Sequence, residues 1–114
     1  MSQELLKHKG EILRADISIA TSGANTIITG VAGQTIRIHR LMLYMNANNN
    51  ITLKNGSTTL MGVMNFLANS GWEHDAESTC PIVLADGASF VINLSASSQV
   101  SGSVWYAQDL TLNS

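Results

Sequence analysis

Gln34–Met45, QTIRIHRLMLYM, is the stretch on which the fold turns. Ile36 and Ile38 alternate with Thr35 and Arg37 as one half-buried strand face, but Leu41, Leu43 and Met45 continue in the opposite phase. Strand side chains repeat every two residues, so a slip of this kind inside an apolar run requires a β-bulge or a corner where the strand passes between sheets. The slip falls around His39-Arg40.

Outward from this stretch the pattern stays that of strands. Leu13, Ala15, Ile17 and Ile19 alternate with Arg14, Asp16 and Ser18, which predicts a half-buried strand. Thr21–Asn25 reads as a turn, and Thr26–Thr29 as a short strand closed by Gly30. On the other side, Asn46–Asn50 reads as a polar loop. ITLK and STTL flank Asn55-Gly56, the pairing that supplies positive φ to a tight hairpin. The second hairpin strand extends toward Phe66. Residues 65–79, NFLANSGWEHDAEST, read as a long crossover between sheets. Three more strands are expected at Cys80–Leu84, Phe90–Leu94 and Val100–Tyr106, with turns at Ala85–Gly87 and Ser95–Ser98. Pro81 restricts its strand to an edge or a strand start.

The expected fold is therefore all-β: an antiparallel β-sandwich, jelly-roll-like, of about eight strands. An immunoglobulin-type sandwich lacks its paired cysteines, because Cys80 is the single cysteine and no intrachain disulfide can form. The expected organisation is an N-terminal arm at 1–10, one sandwich domain at 11–108 and a polar tail at 109–114.

Composition narrows the function classes. The chain has 114 residues, of which 45% are apolar and only 12% charged. That is enough to bury one core and too apolar for disorder. From Leu41 onward the charged side chains are Lys54, Glu73, Asp75, Glu77, Asp86 and Asp109. A lone soluble domain carries more charge of both signs to stay apart from its neighbours, so this chain is expected to spend surface against protein. Net charge is −2 with no basic cluster, which argues against nucleic acid as a partner. No segment approaches a membrane span or a signal peptide, so no membrane partner is expected, and synthesis is expected in a reducing cytoplasm.

Catalytic chemistry finds little to stand on. His8, His39 and His74 fall on three different segments, unlike the paired strand histidines of metal-binding jelly rolls. Glu73, His74, Asp75, Glu77 and Cys80 form the densest group of ligand types, but neighbours on a loop seldom converge on one ion. A solvated acidic loop is the expectation, with no metal and no cofactor. No nucleophile elbow is present, and Cys80 suits a small core side chain better than a thiolate. Trp72 falls on the expected long connection, and Trp105 alternates out of phase with Val104 and Tyr106, so it leaves the core. A subunit contact or a covering segment suits these tryptophans better than a sugar.

Several blocks carry a resemblance. They are Gly33–Leu41, ITLKNGSTTLMG, Asn69–Trp72, Leu84–Leu94 and Val100–Tyr106. Together they resemble small β-sandwich virion proteins of tailed bacteriophages, some of them head-decoration (cement) subunits. The resemblance covers about residues 25–107 and implies a jelly-roll-like subunit that trimerises and binds the major capsid protein, with a location in the virion. Leu5, Leu6, Trp72 and Trp105 are the expected oligomer or capsid contacts. The alternative is a carbohydrate- or receptor-binding module of a tail or appendage, using Trp72, Trp105 and the Asn46–Asn50 loop.

Overall fold

The computed structural model describes residues 12–75 and 82–110. The expected arm at 1–10 with Leu5 and Leu6, the ligand types Glu77 and Cys80, Pro81, and residues 111–114 lie outside the described residues.

Among the described residues the chain forms nine strands and no helix: β1 (Leu13–Ile19), β2 (Gly23–Ile28), β3 (Gln34–Met45), β4 (Asn49–Asn55), β5 (Thr58–Phe66), β6 (Ser70–Asp75), β7 (Ile82–Val83), β8 (Phe90–Leu94) and β9 (Val100–Leu110). They make two antiparallel sheets, one ordered β1-β9-β3-β6 with β7 also on β3, the other ordered β2-β8-β4-β5. The pairs β1–β9, β2–β8, β3–β6 and β4–β5 nest inside one another along the chain. The chain is thus one long hairpin rolled up so that alternate pairs fall in alternate sheets, which is a jelly roll.

The phase slip in Gln34–Met45 is a bulge. Ile38 pairs with Tyr106, Arg40 pairs with Trp105, and His39 is the extra residue between them. The strand does not change sheets; it stays beside β9 for its whole length. On its other edge the bulge divides two partners, β7 at Arg37–Ile38 and β6 at Arg40–Met45. The bulge keeps Ile36, Ile38, Leu41, Leu43 and Met45 all facing inward despite their change of phase, and every one of them is buried. Ile17, Ile28, Ile51, Leu53, Leu84, Phe90, Ile92, Leu94, Val100 and Val104 complete the core, each worth about 1.5–3 kcal/mol when fully withdrawn from water.

Four expectations are corrected. Residues 65–79 are not one long crossover: the chain passes between sheets in the turn 67–69 and then forms β6. Asn69 takes φ 61° there, a left-handed conformation that asparagine tolerates better than most side chains. β2 begins at Gly23, so Gly23–Asn25 is strand and not turn. β4 begins at Asn49, inside the expected polar loop. β9 runs to Leu110, so Asp109 is not tail but a buried strand residue ion-paired to Arg37 at 2.7 Å. The hairpin stands, with loop residues Gly56 and Ser57 between Asn55 and Thr58. Only the first has positive φ, at 66°, as a II′ turn requires.

Candidate interaction face

The two outer sheet faces differ in chemistry. On the β2-β8-β4-β5 sheet the outward residues include Ala24, Thr26, Asn93, Thr52, Asn50 and Asn65, with Lys54 beside Val91. Val91 and Thr52 are themselves buried, the lysine stem lying across the register from Val91.

The outer face of the β1-β9-β3-β6 sheet is richer. Three rows run straight across its four strands: Ser18·Ser101·Tyr44·Gly71, Asp16·Ser103·Met42·Glu73, and Arg14·Trp105·Arg40·Asp75. Opposed residues of antiparallel strands share a face, so these side chains form one surface. Tyr44 is 46% and Met42 38% exposed. The Arg40 guanidinium lies 5.2 Å from the Trp105 ring centroid, a cation–π distance. It also pairs with Glu73, its Nε donating to Oε2 at 2.7 Å. Arg14 donates to Ser103 Oγ at 2.7 Å. The lone tyrosine hydroxyl of the face donates to Asn69 Oδ1 at 3.1 Å. Where Gly71 supplies no side chain, an open cleft of about 380 Å³ lies among Met42, Leu43, Tyr44, Trp72 and Glu73.

The two tryptophans do not share a face. Trp72 is in β6, opposite Leu43, so it turns toward the sandwich interior. It is half-buried against the core and stacks on His74, centroids 6.1 Å apart at 12°. Trp105 lies on the outer face, and Arg40 rather than the Trp72 segment covers it.

Glu73-His74-Asp75 is strand, not loop. Alternation turns His74 inward and the two carboxylates outward, so the three diverge. Among the described residues no group of three or more His, Cys, Asp or Glu side chains is placed to hold a metal ion.

The Asn46–Asn50 segment is largely structural. Asn49 is 3% exposed. Its Nδ2 donates to Ala96 O and Ser98 Oγ at 3.0 and 2.8 Å, and its Oδ1 accepts from Ser95 N, Ser95 Oγ and Ala96 N. Asn48 Oδ1 accepts from Ala68 N at 2.8 Å. These amides clamp the 95–98 and 67–69 turns to the β3–β4 connection.

Met42, Tyr44, Arg14 and Arg40 were not singled out by sequence reasoning. Their signal lay in the alternation itself: they are the residues left facing outward once the bulge is located.

No protein-family model matches the chain, and no curated protein sequence matches it. Among solved structures, the Tobacco streak virus coat protein is similar at a TM-score of 0.40 and 7% identity, covering 89% of this chain and 90% of that one.

Proposed function

We propose that this chain is a non-enzymatic structural protein of a virion, most specifically a trimeric decoration subunit that attaches to the major capsid protein of a tailed bacteriophage head. The observation that carries the reading is the surface: a rolled sandwich that presents Tyr44, Met42 and an arginine-covered Trp105 on one broad face and almost only neutral side chains on the other. Aromatic, methionine and arginine side chains are the types enriched where proteins meet. Apolar exposure at Val63 (66%) and Leu67 (72%) adds to it. Many identical copies, each held weakly, suit a cement role by avidity.

In this reading Leu5 and Leu6 of the N-terminal segment and Trp105 make subunit or capsid contacts, and Trp72 adds only its exposed edge. The test is co-sedimentation of purified protein with expanded, undecorated capsids. Saturable binding is expected, and it is expected to weaken when residues 2–10 are deleted. A protein that never co-sediments with any shell would overturn the reading.

The sugar-binding alternative fares worse. Trp72 and Trp105 face opposite ways, and Asn49 is committed to backbone groups and serine hydroxyls of the 95–98 turn.

A further inference from the structure

We infer that Asn55 is a deamidation site whose reaction is held shut in the folded chain by the corner where the β4–β5 turn meets residues 85–89. The inference does not depend on the virion role.

Only two of the nine glycines follow a side chain able to close a succinimide ring: Gly56 after Asn55 and Gly87 after Asp86. The ring closes when the glycine nitrogen attacks the side-chain carbonyl carbon. At Asn55 a bond forms from Gly56 N to Cγ, and the Cγ–Nδ2 bond breaks. The Gly56 amide proton leaves with Nδ2 as ammonia, and water then opens the ring to aspartate or isoaspartate. Glycine is the permissive neighbour for this attack, having no side chain to obstruct it and the freest backbone.

The fold brings both dipeptides to one corner. Asn55 pairs with Phe90 at the end of β4, which sets the β4–β5 turn against 85–89. Gly56 N donates to Ser89 O at 2.8 Å, Gly87 N to Gln34 O at 2.9 Å and Ala88 N to Ala85 O at 3.0 Å. Ser89 is itself held, its Oγ accepting from Gly30 N at 2.8 Å. Gly30 packs so closely there that a Cβ on it would stand 2.2 Å from Gly87 O.

One of these bonds controls the reaction. Asn55 Oδ1 accepts from Ala85 N at 3.2 Å, a donor that polarises the carboxamide toward attack. The electrophile is ready and the nucleophile is not. Gly56 N must shed its proton to attack, and the Ser89 carbonyl, which is no base, keeps that proton on nitrogen. Reaction waits for the Gly56–Ser89 bond to open. Ring closure is slow beside the reclosing of a turn, so its rate follows the open population. That population is set at the corner, because turns at strand ends open more readily than the core behind them.

The experiment incubates the full chain at mildly alkaline pH, folded and in urea. Isoelectric focusing reads the negative charge gained, and peptide mapping assigns it to Asn55. The folded chain is expected to deamidate at Asn55 about tenfold or more slowly than the chain in urea. Ser89→Ala removes the bond from Gly30. It should speed the folded reaction about threefold or more and leave the rate in urea unchanged. Asn49→Ala loosens the opposite end of β4 and should change the folded rate less than about twofold. Equal rates for wild type folded and in urea overturn the inference, as does an unchanged folded rate in Ser89→Ala. An acceleration by Asn49→Ala as large as that by Ser89→Ala also overturns it, since global unfolding is then the gate. If Ser89→Ala does not fold, amide hydrogen exchange at Gly56 in the wild type decides: slowed exchange is expected, and exchange at the unfolded-chain rate refutes the restraint.

Discussion

Replacing Asn49 with alanine should be far more damaging than its place in a run of asparagines implies. Its amide makes five hydrogen bonds between 2.8 and 3.2 Å. Not all of them count equally. Ser95 N keeps a second acceptor, Asn50 O at 3.0 Å, and the Ser95 hydroxyl can turn to water. The bonds to Ala96 O, Ser98 Oγ and Ala96 N remain, at about 1 kcal/mol net each. Together they give a loss of about 3 kcal/mol. With a urea m-value of about 1.5 kcal/mol/M for a domain of this size, the unfolding midpoint falls by about 2 M. Equilibrium urea unfolding followed by circular dichroism measures it. Asn50→Ala, at an exposed side chain, should move the midpoint by less than about 0.3 M. Asn49→Asp keeps the acceptor oxygen but loses both donated bonds and buries a charge, so it should be no better than alanine. A loss below about 1 kcal/mol for Asn49→Ala would refute the clamp.

Gly102→Ala places a Cβ against the Met42 backbone carbonyl on the adjacent strand; a loss of about 3 kcal/mol is expected from overpacking, visible as a lowered melting temperature. Asp109→Asn removes the charged partner of Arg37 at a position 6% exposed, with an expected cost of about 2 kcal/mol in the same urea assay. Arg40→Ala opens one face of Trp105 to water, so tryptophan emission should shift to the red. Its stability cost should stay below about 1 kcal/mol because both charged partners are more than a third exposed.

The strands that line the core were legible because burial on one face imposes alternation, and Ile17, Ile36, Leu43, Phe90 and Val104 obey it. The bulge was legible too, as a change of phase, although only pairing with β9 distinguishes it from a corner. β6 was not. It is a sheet edge whose inward residues, Trp72 and His74, are half-exposed, so SGWEHD carries no apolar alternation to read. Asn49 was misread for a related reason: nothing in its sequence neighbourhood separates an amide that binds backbone from one that binds water. The candidate face was half legible. Trp105 could be placed outward from its own strand, but its arginine cover comes from β3, and register between distant strands is invisible in composition.

The nested pairing has a consequence for synthesis. Leu13 pairs with Tyr106, so β1 has no partner until the last strand has been made. At about 5–20 residues per second the ribosome needs about 5–18 s to cover the 92 residues between them. Folding dominated by such distant pairings is slow even afterwards. Throughout that interval β1 is a nascent strand with both edges open, the state most prone to pairing with another chain. Arg14 and Asp16, two of the few charges on either sheet, sit on the strand that must wait longest, where alternating charge discourages premature association.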